Sequence, residues 1–270
     1  NNDESFFYRT IADDAVVYLR QHPEVNNILL TGGDPMMLSN EALSYILGKF
    51  SDLPQIRGIR IATKTLSFYP IRFLDEELLS ILSDCNKKKK HISVIAQISH
   101  PAEFSAKMIE AVEKIQKTGA SIRSQPVLTH GINDDVKVLT ALFQKAYDCK
   151  IVPYYLVHFM PVRGVEQYAL PIDEAYKIVA QLSAELSGLE KKSIFITAHD
   201  YGKFEICGFC PSVDQPEEII LKWHQIVNEM YLPKAFVEKV SIEPGSLLKL
   251  KYKKGSHYNL DDLFAYNNIP

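Results

Sequence analysis

A chain of 270 residues, 46% hydrophobic and 23% charged, can bury a large core as one big α/β domain or two small ones. With 30 Lys and Arg against 33 Asp and Glu, the net charge of -3 argues against a surface built broadly for nucleic acid. The 4 cysteines exclude a disulfide-stapled secreted scaffold, and the longest apolar stretch, Ile151 to Val162, is too short to cross a bilayer, so a soluble, cytoplasmic protein is expected.

Six β-rich runs follow in chain order: Asn27–Thr31, Gly58–Thr63, Ile92–Ser99, Ser121–Leu128, Ile151–Val157 and Ser193–Ala198. Their starts lie roughly 30 residues apart, with one longer gap before the last, which is the length of a β-loop-α unit. Between them stand amphipathic helical stretches. Ser39 caps a helix carrying Leu43, Ile46 and Leu47, and Asp75 caps one carrying Leu78, Leu79 and Leu82. Ser105 opens another, which Gly119 closes at the position after its C-cap. Val136–Ala146 and a helix opened by Asp173 complete the set. Strands apolar on both faces and alternating with helices predict a parallel sheet covered by helices, either a complete or partial TIM-like barrel or a doubly wound sheet. Residues 207–270 break the pattern and are read as a C-terminal extension to a domain of residues 1–206.

In either fold, chemistry gathers after the strand C-termini. The first run ends in Thr31-Gly32-Gly33-Asp34-Pro35, where two glycines allow close backbone approach and Asp34 offers a carboxylate to an ammonium group. A plain Gly-Gly turn with a capping Asp fits the same residues. Thr63 and Lys64 follow the second run, and Ser99-His100-Pro101 the third. Gln125-Pro126 inside the fourth predicts a bulge, because Pro cannot donate to a ladder. His158, Phe159 and Met160 follow the fifth, and His199, Asp200 and Lys203 the sixth. Cys207 and Cys210 form a CxxC, which fits a metal half-site, a redox pair or two plain thiols. The run Lys87–Lys90 ends a helix and is read as solvated.

The ordered set resembles the lysine 2,3-aminomutase family of radical S-adenosylmethionine (SAM) enzymes. The similarity runs through His22-Pro23-Glu24-Val25, Leu29 to Leu38, Ile59 to Lys64, His100-Pro101, Gln125 to Leu128, Gly131 to Asp134 and Pro153 to Leu156, covering about residues 11–200. The resemblance implies a partial (β/α) radical SAM barrel with SAM beside a [4Fe-4S] cluster held by three thiolates. It places Gly32, Gly33 and Asp34 in the loop that receives the methionyl amino group, and Thr63, His100 and Gln125 around SAM.

Three departures stand out. The family's CxxxCxxC is absent from these 270 residues, which carry no initiator Met, and the cluster-binding segment is expected upstream of Asn1. Met160 and Ala198 occupy the positions of the family's two substrate-gripping aspartates, so free lysine is not the expected substrate. The family's pyridoxal phosphate (PLP) lysine follows a glycine-rich run. Here only Tyr201-Gly202-Lys203 remains, so Lys203 stands as a Schiff-base candidate or an ordinary lysine, and PLP is left open. The expected function is radical hydrogen abstraction from an amino-acid-like small molecule, with no nucleic-acid or membrane partner and a homo-oligomer left open. The alternative is a non-catalytic SAM-binding or scaffold barrel.

Overall fold

The computed structural model describes residues 2–210, 217–253 and 259–270. In chain order the elements are α1 (Asn2–Gln21), β1 (Asn27–Leu30), α2 (Asn40–Ser51), β2 (Gly58–Thr63), α3 (Thr65–Phe68), α4 (Glu76–Lys87), β3 (His91–Ala96), α5 (Ala106–Lys117), β4 (Ser121–Ser124) and β5 (Val127–Leu128). They continue with α6 (Val136–Asp148), β6 (Val152–Pro153), β7 (Tyr155–His158), α7 (Ile172–Glu185), β8 (Ile194–His199), β9 (Gly202–Cys210), β10 (Glu217–Ile226), α8 (Lys234–Lys239), β11 (Leu247–Tyr252) and α9 (Leu260–Tyr266). Two compact units result, residues 1–125 with 145–152, and residues 126–144 with 153–270.

The first unit is built on a sheet of order β1-β2-β3-β4-β6, with β1 to β4 parallel. Its helices begin where the sequence asks. The Ser39 hydroxyl accepts from Ala42 N–H, the Asp75 carboxylate from Glu77 and Leu78 N–H, and the Ser105 hydroxyl from Met108 N–H. Gly119 stands just past the end of α5 at φ +87, in the left-handed region that favours glycine. Apolar faces then pack on the sheet, with Leu43, Leu47, Leu78, Leu82, Met108 and Ile115 all fully covered.

The second unit has the order β11-β10-β9-β8-β7-β5. Strands β5, β7 and β8 run parallel, whereas β8 through β11 are joined antiparallel. Its core is aromatic: Phe204 lies 4.1 Å from Trp223 between ring centroids, and Phe236 packs against both Trp223 and Phe264. The boundary expected at residue 206 falls inside β9, which continues the ladder to Cys210.

Four sequence readings need correction. The fourth run is not one bulged strand. It ends as β4 when Gln125 N–H bonds Ala96 O, and resumes as β5 in the other sheet, where Pro126 O accepts from Val157 N–H. Pro126 has no N–H to carry the first ladder onward. The fifth run likewise splits into β6 and β7 around Pro153-Tyr154. The sixth is followed by a hairpin and not by a loop and helix. Lys90 is not solvated: it is buried, and its Nζ donates to Leu53 O and Ile56 O, each at 2.8 Å. Helix α1 has no counterpart among the sequence readings. Its polar surface hides a narrow stripe of Ala12, Val16 and Leu19.

Candidate functional site

Strands β1 to β4 end side by side, and a cavity of about 350 Å³ opens there, a size that suits a small-molecule ligand. It is lined by Thr31, Gly32, Gly33 and Asp34 after β1, Ala62, Thr63 and Lys64 at the end of β2, Ile95 from β3 and Gln97 just after it, and Gln125 after β4. Gly32 has φ +122, a conformation that only glycine adopts cheaply. A Cβ on Gly32 or Gly33 would meet no protein atom within 4 Å, so both glycines border open space that a ligand can enter.

Asp34 is the keystone of this rim. One oxygen accepts from Met36 N–H at 3.0 Å and the Thr63 hydroxyl at 2.7 Å. The other accepts from Lys64 N–H at 2.7 Å and Thr65 N–H at 2.9 Å, with the Thr63 hydroxyl at 2.9 Å. Burial opposes ionisation, but the bonds from Thr63, Lys64, Thr65 and Met36 outweigh it and hold the carboxyl below its usual range. A carboxylate has about four lone-pair sites, and the protein already fills them. The Asp34 carboxylate is therefore engaged within the protein. It clasps the loop after β1 to the loop after β2. The Thr63 hydroxyl lines the cavity but is spent in the same clasp. Arg72 adds a second tie, donating to Met36 O at 2.9 Å and Leu38 O at 3.0 Å.

His100 does not line the cavity. Its Nδ1 accepts from Ala102 N–H at 3.1 Å, while the Glu103 carboxylate accepts from Ser99 and His100 N–H. This capping box closes the turn after β3. The other Glu103 oxygen is buried, lacks a hydrogen bond, and faces Lys64 Nζ at 3.8 Å. The rim groups left for a ligand are Lys64, whose Nζ also lies 4.7 Å from the Phe68 ring centroid, and the side-chain amides of Gln97 and Gln125, which make no hydrogen bond among the described residues. Sequence reasoning found Gln125 and missed Gln97, because the third run was drawn through Ser99. The strand stops at Ala96, which turns Gln97 from a ladder residue into a strand-end residue.

The remaining candidates lie in the second unit. Lys203 is the second residue of β9, with Nζ 5.3 Å from the Tyr155 ring centroid. Cys207 and Cys210 lie on β9, with Cys207 at the irregularity where the ladder to β10 shifts register. Both thiols are free, Cys207 exposed and Cys210 half-buried. Partial burial of the Cys207 sulfur and the nearby Glu205 push its thiol up. Among the described residues, no three His, Cys, Asp or Glu side chains come together as a metal site. No helix among them is long and apolar enough to cross a membrane.

No protein-family model matches the chain. Curated relatives do. A protein of Aquifex aeolicus (strain VF5) assigned as an L-lysine 2,3-aminomutase is 34% identical over 229 residues, 84% of this chain and 60% of that protein. This chain is similar to the lysine 2,3-aminomutases over most of its length. Glutamate 2,3-aminomutase of Clostridioides difficile (strain 630) is 29% identical over 70% of this chain and 44% of its own length. L-lysine 2,3-aminomutase of Clostridium subterminale is 30% identical over 65% of this chain and 41% of its own length. The chain thus spans between two fifths and three fifths of these relatives. Among solved structures, Streptococcus suis SuiB bound to S-adenosylmethionine has a TM-score of 0.52 at 16% identity, over 70% of this chain and 43% of that one. That likeness shows the α/β fold of partial TIM-like class.

Proposed function

We propose that the cavity at the ends of β1 to β4 binds SAM and that the protein serves radical hydrogen abstraction from an amino-acid-like substrate other than free lysine. The observation that supports this most is the rim itself. Two glycines face open space, the neighbouring carboxylate is already satisfied, and one cation and two amides remain for a ligand. Lys64 suits the carboxylate of an amino-acid moiety, and Gln97 and Gln125 offer paired donors and acceptors. Asp34 and Arg72 hold the two loops at fixed spacing, which lowers the ordering cost of binding. Bound SAM, when reduced and cleaved, supplies a 5′-deoxyadenosyl radical as hydrogen abstractor.

The [4Fe-4S] cluster that reduces SAM is not cradled by the described residues, and the 4 cysteines of the sequence include no CxxxCxxC. Its thiolates belong, on this reading, to chain outside these 270 residues, and the protein works in the cytoplasm. The same cysteine pattern favours the second reading, a SAM-binding barrel without radical chemistry. Release of 5′-deoxyadenosine on reduction of the intact protein separates the two.

The binding step is tested with Gly33→Val. Its side chain enters open cavity space and its backbone is outside the left-handed region, so the fold is retained. By titration calorimetry, SAM affinity is expected to fall by about tenfold or more. Unchanged affinity would remove the cavity as the SAM site.

A further inference from the structure

Glu103 ends the short helical turn Pro101–Glu103 that follows β3, and its two carboxylate oxygens are loaded unequally. Oε1 accepts from Ser99 N–H at 2.7 Å and from His100 N–H at 2.8 Å, which fixes the carboxylate against its loop. Oε2 is buried and makes no hydrogen bond among the described residues. Folded proteins rarely leave such an atom unpaired, because water is not there to replace the missing donor. The cation that faces Oε2 is Lys64, with Nζ at 3.8 Å, an ion-pair distance but too long for a hydrogen bond. The cap of the turn uses one oxygen and gives no account of the other.

Lys64 comes from a different loop, directly after β2. Its backbone is held at both polar groups: its N–H donates to Asp34 at 2.7 Å, and its carbonyl accepts from the Ser67 hydroxyl at 3.1 Å. The Ser67 hydroxyl also reaches Gln97 O at 3.4 Å, which links the loop after β2 to the end of β3. The Lys64 side chain stands near two groups, the Glu103 carboxylate and the Phe68 ring, whose centroid lies 4.7 Å from Nζ. The side chain is partly exposed and lines the strand-end cavity. An ammonium has three N–H donors and one carboxylate oxygen engages one of them, so the pair leaves donors for a ligand anion. An untethered lysine on a flexible stem loses rotamer freedom when a ligand arrives, whereas a tethered one has lost it in advance.

We propose that Glu103 is a positioning residue: its buried Oε2 tethers the Lys64 ammonium at the rim, so that the carboxylate of an amino-acid moiety is received at one fixed place. The proposal rests on the reading of the strand-end cavity as the SAM site, and it goes further by giving a binding role to a residue that does not itself line the cavity.

SAM and decarboxylated SAM differ by the one group that Lys64 is to receive, which makes them the probes. Each is titrated calorimetrically into the full chain and its variants. Lys64→Met is expected to weaken SAM about tenfold and to leave decarboxylated SAM unchanged, since a charge-assisted contact is worth about that much. Glu103→Gln keeps the shape of the side chain and an oxygen for Ser99 and His100 N–H, but turns an amide NH2 toward the ammonium. It is expected to weaken SAM about fivefold, again with no change for decarboxylated SAM. In the double variant the loss is expected to equal that of Lys64→Met alone, because without the ammonium there is nothing to tether. Amide chemical shifts of Ser99 and His100 verify that the turn persists. Equal weakening of both ligands by Glu103→Gln would mark a purely structural role and overturn the proposal. So would an unchanged SAM affinity in Glu103→Gln, or losses that add in the double variant. Any of these alongside saturable SAM binding by the unsubstituted chain locates the failure here, whereas no SAM binding by that chain overturns the reading of the cavity and the proposal with it.

Discussion

The two units hold their connections together by different means. In the first, polar side chains tie loops: Asp34 joins the loops after β1 and β2, Glu103 caps the turn after β3, and Lys90 plugs two carbonyls after α2. In the second, main-chain ladders and packed aromatic rings do the work, from β8 through β11 and from Phe204 through Trp223 to Phe236. The first arrangement consumes conspicuous polar residues and leaves inconspicuous ones, Gln97 and Gln125, for a ligand. The second leaves its polar residues on one face of a sheet. The lesson is that a charged residue in a strand-end motif is as often a tie as a ligand contact, and only its partners decide which.

The contrast predicts that the second unit is broken by steric change and the first by loss of a polar atom. The largest effect is expected for Gly202→Ala. The new methyl meets Gln225 O at a φ of +140, so the β9–β10 approach must open. A loss of about 3–5 kcal/mol is expected, in the range of strained, overpacked sites. Urea unfolding followed by Trp223 fluorescence measures it, because Trp223 is the single Trp of the chain and is buried in this unit. A loss under about 1 kcal/mol would show that the hairpin tolerates a side chain there.

Next in size is Lys90→Met. The stem still fills its space, but Leu53 O and Ile56 O lose their shared donor in a buried place. About 2–3 kcal/mol should disappear, read by far-ultraviolet circular dichroism in urea. A neutral outcome would mean that water replaces the ammonium, and the polar-tie account of the first unit would weaken.

These two sites also show what was legible in the sequence. Caps at Ser39, Asp75 and Ser105 were readable because each is a local side chain meeting a local N–H. The parallel order of the first four strands followed from regular spacing. The fate of Lys90 was not readable, because the carbonyls it bonds come from residues 53 and 56, far away in sequence. The hand-over of strands between sheets was half legible. Pro126 and Pro153 announced an interruption, but no local signal says that the chain resumes in a different ladder. The antiparallel return at β9 was hidden for a similar reason. Gly202 looked like the remnant of a ligand loop, while its real constraint is a strand that arrives from beyond residue 217.

A smaller effect is expected at the clasp. Asp34→Ala frees Met36, Lys64 and Thr65 N–H to water on a half-exposed rim, so about 1–2 kcal/mol is lost and not the full cost of buried donors. A double-mutant cycle with Thr63→Val should give a coupling of about 1 kcal/mol, because the two side chains touch at 2.7 Å. Additive losses would show that the hydroxyl and the carboxylate act separately.

The smallest effect is the dependence of that clasp on pH, and its sign is fixed by the direction of the shift. Hydrogen bonds hold the folded Asp34 carboxyl below its ordinary value despite burial. In the unfolded chain it titrates near about 3.9. Above that pH both states are ionised and the clasp contributes in full. As pH falls through the unfolded value the unfolded state binds the proton first, so stability declines, and the decline ends once the folded carboxyl is protonated at lower pH. Asp13 and Asp75 are depressed in the same direction, so acid weakens the protein even without Asp34. Asp34→Asn isolates the difference. An amide there presents N–H groups to the N–H donors of Lys64 and Thr65, so the variant starts weaker at pH 7 and then loses less on acidification. Urea midpoints measured at intervals from pH 6 down to about pH 3 should therefore converge. Parallel curves would mean that Asp34 has the same affinity for a proton folded and unfolded, which its ring of donors forbids.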